Sequence, residues 1–211
     1  MPGSSRARRQ WQSERANALD QLVSAHAALG GKGPGRRYAT EQVVHAYAVL
    51  LSSHFQGFCR DLHSEVSDHI ANATTPAGAP ELLRQLLTAN RKLDSGNPNP
   101  GNIGSDFGRF GFTWKLVEAR DNRTGERQRK LKLLNDWRNA IAHQDIDPTN
   151  PDLNLAQRPD QKRTSTKARR PRYSLRIADV DGWRIACSAL TKSFEAVCAE
   201  RVKEFTGRAP W

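Results

Sequence analysis

The chain has 211 residues, a formal net charge of +11 at neutral pH and a pI of about 10.1. This length fits one domain with appendages, and the basic balance favours a polyanionic partner, first nucleic acid and second an anionic membrane surface. No apolar run reaches the roughly 18–20 residues of a membrane span, no signal-peptide core is present, and the three cysteines form no CxxC pair. We therefore expect a cytoplasmic protein with no membrane association, no metal and no other cofactor.

The first third of the chain predicts two amphipathic helices. Apolar residues at three- and four-residue steps predict a helix from about Gln10 to Leu29, which ends at a Gly-Gly pair. A second helix is predicted from Thr40, its N-cap, to about Ala73. Its apolar stripe comprises Val43, Tyr47, Leu50, Leu51, Phe55, Phe58, Leu62, Val66 and Ile70. We expect residues 1–39 to be an N-terminal helix and loop, followed by the main helical domain over residues 40–206.

Shorter elements are predicted in the middle of the chain. Pro80 marks the start of a helix that continues to about Leu93. The stretch Ser95–Gly111 is rich in Gly, Asn and Pro, which predicts a long irregular loop. Helices are then predicted over Thr113–Arg120 and over Glu126–Asp145, the latter stopped by the prolines that follow it.

The C-terminal part predicts a basic exposed loop and one long helix. Residues 148–173 carry many cations with almost no opposing acid, as is typical of a solvated segment. Five of these cations are candidates to clamp RNA phosphates, although simple solvation explains them equally well: Arg163, Lys167, Arg169, Arg170 and Arg172. A helix is predicted from about Val180 to Phe205 with Asp179 as N-cap, and Tyr173–Ile177 suits a short strand without an obvious partner. Five to six helices without a strand pair predict an all-α helical bundle.

The candidate chemistry lies on the predicted helix over residues 126–145. Four apolar residues mark the face expected to be buried: Leu131, Leu134, Ile141 and Ala142. On a helical wheel Arg138 falls within that face, where a guanidinium is costly unless it is paired or faces a wet cleft. His143 lies about 140° round the helix and about 7.5 Å further along its axis. The two side chains converge on one phosphate only if the helix end distorts or if a second copy of the helix supplies the opposite wall.

Arginine and histidine together are suitable parts for cutting RNA without a metal. A histidine base removes the 2′-hydroxyl proton, and an arginine grips the phosphate as negative charge develops on it. The chain carries no phosphate-binding loop, HExxH, GxSxG or paired-carboxylate motif that would compete with this reading. Each residue also has an ordinary explanation by itself. Arg138 fits a snorkelling or structurally paired residue, and His143 fits a capping or surface residue.

These residues also carry a resemblance to a known family. The segment Leu134–His143 resembles the signature helix of HEPN-domain ribonucleases, whose motif is R-x4-H, commonly with a polar residue after the arginine. Arg138, Asn139 and His143 match that motif residue by residue. The segment Tyr47–Phe58 is similar to the preceding core helix of stand-alone bacterial HEPN proteins, and the resemblance covers about residues 40–205.

The resemblance implies a specific activity. HEPN ribonucleases are α-bundles that form homodimers in which two R-x4-H motifs line one cleft. They cut single-stranded RNA without a metal and leave 2′,3′-cyclic phosphate and 5′-hydroxyl ends. Many are toxins of toxin–antitoxin systems or phage-defence effectors. The expected partners are therefore RNA, a second copy of the chain and an antitoxin or regulatory protein, and the expected catalytic residues are Arg138 and His143.

Supporting residues are expected around this pair. Asn139 follows the arginine of the motif, and related families often carry an acid near Gln56, which is uncharged here. Asp61 and Glu65 either orient Arg138 or His143, or are partly exposed acids at the edge of the long helix's stripe. Two other functions stay open: a non-catalytic HEPN-like module that holds RNA, a nucleotide or a protein in the same cleft, and a basic helical adaptor in which Arg138 makes a structural ion pair.

Overall fold

The computed structural model describes residues 3–30, 37–73, 79–146 and 175–211. Every regular element in these ranges is helical, which confirms the predicted all-α bundle. The α-helices in chain order are α1 (Arg6–Gln10), α2 (Ala16–Ala28), α3 (Arg37–Asn72), α4 (Ala79–Thr88), α5 (Lys92–Ser95), α6 (Pro100–Phe107), α7 (Trp114–Arg120), α8 (Thr124–Ala142) and α9 (Ile177–Thr206). A π-helical turn, Trp11–Arg15, joins α1 to α2, and a 3₁₀ turn, Gly108–Phe110, follows α6. Within the described ranges no helix is both long and apolar enough to cross a membrane.

The centre of the bundle is α3, which packs against α1, α2, α4, α8 and α9. Most of its predicted apolar stripe is buried: Tyr47, Leu51, Phe55, Phe58, Leu62 and Val66. Near one end the Tyr47 hydroxyl donates to Asp181 of α9 over 2.9 Å, and further along Phe55 meets Phe194 at a ring-centroid distance of 6.2 Å. The two long helices therefore run side by side in the same direction.

The N-terminal helices share this core. The Trp11 ring lies 6.0 Å from Phe55 and 6.2 Å from Phe58, measured between centroids. Two carboxylates hold the start of α1. Glu65 of α3 accepts from the backbone N–H groups of residues 6 and 7, and buried Glu195 of α9 accepts from Ser4, Ser5 and Arg8. Anions at a helix N-terminus stabilise it, so both long helices anchor the N-terminal segment.

The prediction of an irregular loop over Ser95–Gly111 is wrong, because α6 and the 3₁₀ turn occupy most of it. The Asn99 side chain accepts from the Asn102 backbone N–H over 2.8 Å, and Pro100 stands in the first turn, where a missing N–H costs nothing. Ile103 and Phe107, one turn apart, are fully buried. Capping and burial of one helix face therefore outweigh the low helix propensity of the two glycines inside α6.

The predicted start of the long helix is wrong. The helix α3 begins at Arg37, so Thr40, which was expected to be its N-cap, lies inside the helix.

Two other predicted helix bounds are also corrected. The helix expected to reach Leu93 ends at Thr88, and Asn90 adopts a left-handed φ of 53°. The chain then restarts as α5, whose first N–H groups donate to the buried Asp106 carboxylate. At α9 the N-cap is Arg176, and Asp179 instead caps from inside the first turn by accepting from the Arg176 N–H over 3.2 Å.

Only the last three residues of the predicted strand Tyr173–Ile177 fall within the described residues. Ile177 begins α9, and Leu175 and Arg176 are not in a strand. Tyr173 lies outside the described residues. The whole of the predicted basic loop over residues 148–173 also lies outside them, together with its five candidate RNA-binding residues: Arg163, Lys167, Arg169, Arg170 and Arg172.

Candidate functional site

The candidate site lies at the C-terminal end of α8. This helix ends at Ala142, three residues before the predicted end, because the chain turns there before any proline is reached. Gln144 has a left-handed φ of 55°, its N–H donates to the Ile141 carbonyl, and the Asp145 N–H donates to the Ala140 carbonyl over 2.9 Å. These two bonds form a Schellman motif, which satisfies the last carbonyls of the helix. His143 is therefore the C-cap residue, and its N–H still donates to the Asn139 carbonyl.

Arg138 is half-buried on the side of α8 that faces the bundle. The buried residues of this helix include Leu131, Leu134, Trp137 and Ala140. The prediction that Ala142 belongs to the buried face is wrong, since Ala142 is exposed in the last turn, where the helix leaves the bundle. Arg138 thus lies at the border between the core and solvent.

The guanidinium of Arg138 is held by a neutral partner. Its Nη1 donates to the Oδ1 atom of Asn139 over 3.1 Å, and the same Oδ1 accepts from Nδ2 of Asn97 over 2.6 Å. Arg138 forms no ion pair with any carboxylate in the described ranges. Asn139 is therefore in direct contact with Arg138.

Gln56 supports the same region from α3. Its Nε2 donates to the Leu93 carbonyl over 2.7 Å and to the Gly96 carbonyl over 3.0 Å. These carbonyls belong to the segment that leads into Asn97, so Gln56 fixes the backbone on which Asn97 stands. Gln56 therefore contacts the segment that carries Asn97, and makes no hydrogen bond to Arg138.

His143 is exposed, and its ring makes no hydrogen bond to another described residue. Because α8 is regular up to Ala142, the ideal separation holds: about 7.5 Å along the axis and about 140° round the helix from Arg138. Asn139 lies between them, adjacent to Arg138 in sequence and one turn before His143. One chain therefore presents both side chains near the same helix end without bringing them together.

Asp61 and Glu65 lie on the other side of α3. Asp61 pairs with Arg15, and Glu65 accepts from the first N–H groups of α1. Neither acid contacts Arg138 or His143, so their expected role in orienting that pair is not supported by the positions they occupy. Both acids fall on the face that α1 and the following π-helical turn cover, a contact that no pattern within α3 reveals.

His54 lies on that same side of the long helix. It is half-buried, and burial, opposed by a hydrogen bond to the Arg15 backbone, lowers its pKa. Its contact with Arg15 places it beside the N-terminal segment and not in the candidate site.

Sequence reasoning missed three asparagines of the site: Asn97, Asn102 and Asn135. Asn135 is buried, accepts from the Ser52 hydroxyl over 3.0 Å and donates to the Pro98 carbonyl over 3.2 Å. The available signal was the repeated Asn-Pro in Asn97-Pro98-Asn99-Pro100, which marks a turn followed by a capped helix start.

Chemically, the site offers an oriented cation and an exposed imidazole. The Nη2 and Nε groups of Arg138 make no hydrogen bond to another described residue, and two parallel N–H donors match two phosphate oxygens. An exposed histidine accepts or donates a proton. On the exposed face of α8, Lys132 pairs with Asp136 over 2.8 Å.

Comparison with known proteins adds no assignment. The chain matches no protein-family model, no curated protein and no solved structure. The function is therefore inferred from the residues and their geometry.

Proposed function

We propose that this chain is a metal-independent endoribonuclease of the HEPN type, with Arg138 and His143 as its catalytic residues. The observation that carries the proposal is the environment of Arg138. The guanidinium is half-buried and oriented by the Asn139 carboxamide, while no described carboxylate neutralises it. A structural arginine at the edge of a core is ordinarily paired with an acid, whereas an arginine that binds phosphate is not neutralised by a carboxylate of the protein.

The proposed reaction is an internal transesterification. His143 accepts the proton of the ribose 2′-hydroxyl, and the 2′-oxygen forms a bond to the adjacent phosphorus. The phosphorus–5′-oxygen bond breaks, and the 5′-oxygen leaves with a proton from an acid or from solvent. Arg138 stabilises the charge on the crowded phosphorane through its remaining N–H donors. The products are a 2′,3′-cyclic phosphate and a 5′-hydroxyl.

A second copy of the chain completes the proposed site. Since about 140° of helix rotation separates Arg138 from His143, pairing the ends of two α8 helices brings the arginine of one copy towards the histidine of the other. The net charge of +11 favours RNA as the polyanion that enters such a cleft. A toxin or phage-defence role, with an antitoxin or regulatory protein as partner, extends the proposal from the resemblance of the motif.

The test is cleavage of a fluorescently labelled single-stranded RNA in the presence of EDTA. Wild type is compared with Arg138→Ala, His143→Ala and Arg129→Ala, the last removing an exposed arginine from the same helix. We expect both site variants to cut about 10²- to 10⁴-fold more slowly, and Arg129→Ala to stay within a few-fold of wild type. Melting temperatures show whether each variant is folded. End analysis should find cyclic phosphates.

Mixing the two inactive variants tests the need for a second copy. A dimer of Arg138→Ala with His143→Ala contains one intact arginine and one intact histidine from different chains. If the residues act across the dimer, the mixture regains part of the activity that each variant lacks. A folded wild type that cuts no RNA, or site variants that cut normally, would overturn the ribonuclease proposal.

A non-catalytic RNA-binding module is the second candidate. Gln56 favours it, since this residue holds two backbone carbonyls and offers no carboxylate where related families often carry an acid. This candidate predicts that wild type binds single-stranded RNA without cutting it. Fluorescence anisotropy with intact RNA recovered after binding, and weaker binding by Arg138→Ala, would support it over the enzyme.

A further inference from the structure

We propose that Asn97 is a positioning residue for Arg138, acting through the carboxamide of Asn139. The inference deepens the proposed ribonuclease function and rests on it for its catalytic consequence. Its structural basis is one oxygen atom with two donors: Oδ1 of Asn139 accepts from Asn97 Nδ2 over 2.6 Å and from Arg138 Nη1 over 3.1 Å.

The first bond orients the acceptor for the second. An asparagine side chain rotates about two torsions, and Asn139 is only half-buried in the last turns of α8. Fixing its Oδ1 by the Asn97 donor points one carbonyl dipole at the guanidinium and also settles which end of the amide faces Arg138. Without Asn97 the Asn139 side chain loses this constraint, and the guanidinium has no other described anchor.

Asn97 itself stands on a rigid segment. Its backbone carbonyl accepts from Asn102 Nδ2 over 2.8 Å and from the Asn99 N–H over 2.8 Å. The carbonyls on either side are also held, that of Gly96 by Gln56 of α3 and that of Pro98 by Asn135 of α8. Donors from three different helices therefore fix three successive carbonyls, and this is an unusual density of polar support for a short connection.

Gly96 is part of this support. A Cβ atom added there would lie 2.7 Å from Nδ2 of Asn102 and 2.9 Å from the Lys92 carbonyl oxygen. The backbone oxygen cannot move away without disrupting the last turn of α5, so only glycine fits. A larger residue at position 96 would displace the segment and, with it, the Asn97 donor.

The choice of carboxamides has a consequence for charge. The side chains of Gln56, Asn97 and Asn139 are all carboxamides, which are neutral and do not titrate. Arg138 is therefore oriented at any physiological pH without a carboxylate that would compete with phosphate for its N–H groups. An Arg138 that loses its orientation still carries its charge and still attracts RNA, so the loss should fall mainly on the catalytic step.

The test combines a kinetic cycle with a direct measurement of Arg138. Wild type, Asn97→Ala, Asn139→Ala and the double variant are compared, with Asn17→Ala as a matched control on the exposed face of α2. We expect Asn97→Ala to lower kcat about 5- to 10-fold with KM within about twofold, as expected for the loss of one neutral hydrogen bond. Because both residues act in one chain of contacts, the double variant should be no slower than Asn139→Ala.

The second readout does not depend on cleavage. The ¹⁵N relaxation of the Arg138 guanidinium, assigned by its absence in Arg138→Lys, reports how rigidly that group is held. It should become more mobile in Asn97→Ala and in Gly96→Ala, and should be unchanged in Asn17→Ala. Gly96→Ala perturbs the Asn97 donor without removing it, so it checks the effect by a different route.

The outcomes separate the two proposals. An Arg138 that stays equally rigid in Asn97→Ala, or independent and additive kinetic losses in the double variant, would overturn the positioning role. If Arg138 loosens as expected but wild type cuts no RNA, the positioning role stands and the ribonuclease proposal fails. A similar loss of kcat in Asn17→Ala would show that the kinetic effect is not specific to the site.

Discussion

His63 should make the fold sensitive to mild acid. It lies on α3, fully buried, with its ring centroid 5.3 Å from that of Phe107 and 4.5 Å from that of Phe110. One ring nitrogen, Nε2, lies 3.3 Å from the Asp106 carbonyl oxygen, and Nδ1 has no partner among the described residues. Burial, reinforced by the positive charge of Arg91, lowers the pKa of His63 from 6.5 to about 4.

The sign follows from where the proton binds. Between pH 4 and pH 6.5 the unfolded chain is protonated at this histidine and the folded protein is not, so folding must expel a proton. The free energy of unfolding therefore keeps its full value above pH 6.5, where His63 is neutral in both states, and decreases progressively as the pH falls towards 4. Between pH 7 and pH 5 the difference corresponds to about 2 kcal/mol of unfolding free energy.

The assay is urea denaturation at pH 7 and pH 5, followed by circular dichroism. Wild type is compared with His63→Gln, which keeps a donor for the Asp106 carbonyl but cannot titrate, and with His63→Leu, which removes the polar ring. We expect wild type to lose about 2 kcal/mol between the two pH values and both variants to lose much less. Burial also lowers the pKa of His45 and His54, so a small residual loss should remain in the variants.

The range between pH 7 and pH 5 separates the protonation of His63 from the titration of buried carboxylates such as Glu195. Burial raises the pKa of Glu195, but hydrogen bonds from Ser4, Arg8 and Ser5 together lower it by more than burial raises it. The net shift of the Glu195 pKa is downward from 4.5. The stability that Glu195 contributes is therefore lost only below about pH 4.5. Equal losses between pH 7 and pH 5 in wild type and His63→Gln would refute the reasoning, since the slope would then arise from other groups.

Three further predictions concern the rest of the molecule. Glu195→Ala should lower the unfolding free energy by about 3 kcal/mol, because it strands buried donors of the N-terminal segment, and urea titration would contradict this if the loss were below about 1 kcal/mol. Gln144→Gly should raise the unfolding free energy by about 0.5–1 kcal/mol, since glycine adopts the φ of 55° without strain, and a fall in the denaturation midpoint would count against the Schellman end. The three buried cysteines, whose thiol pKa values burial raises, should react with Ellman's reagent only in denaturant, and fast labelling of the native protein would contradict their burial.

Much of the fold was predictable from the sequence because its helices are amphipathic. The stripe from Tyr47 to Val66 recurs at helical spacing, and the same residues are buried in α3. The wheel also placed Arg138 on the inner side of α8 and His143 well round from it, as the structure has them. Periodicity reveals such features because a regular helix converts spacing directly into direction.

The prediction failed where distant contacts outweigh local composition. The glycines and asparagines of residues 95–111 indicate a loop by propensity, yet burial of Ile103 and Phe107 and the N-cap of α6 by Asn99 make most of it helical. Likewise, the sequence suggested that Asp61 and Glu65 were available to the site, because the packing of α1 and the π-helical turn over that face of α3 cannot be predicted from α3 itself.

The sequence alone determined the all-helical class, the direction of the main apolar faces and the spacing of five residues between Arg138 and His143 on one helix. These depend on local spacing and on residue chemistry, which a linear pattern contains. Only the tertiary structure decided that Asn97, 42 residues before Asn139 along the chain, reaches the end of α8. It also decided that Gln56 of α3 holds the backbone segment that leads into Asn97. A hydrogen bond between side chains needs atoms within about 3 Å of each other, and long-range packing of helices, not sequence separation, determines which carboxamides reach that distance.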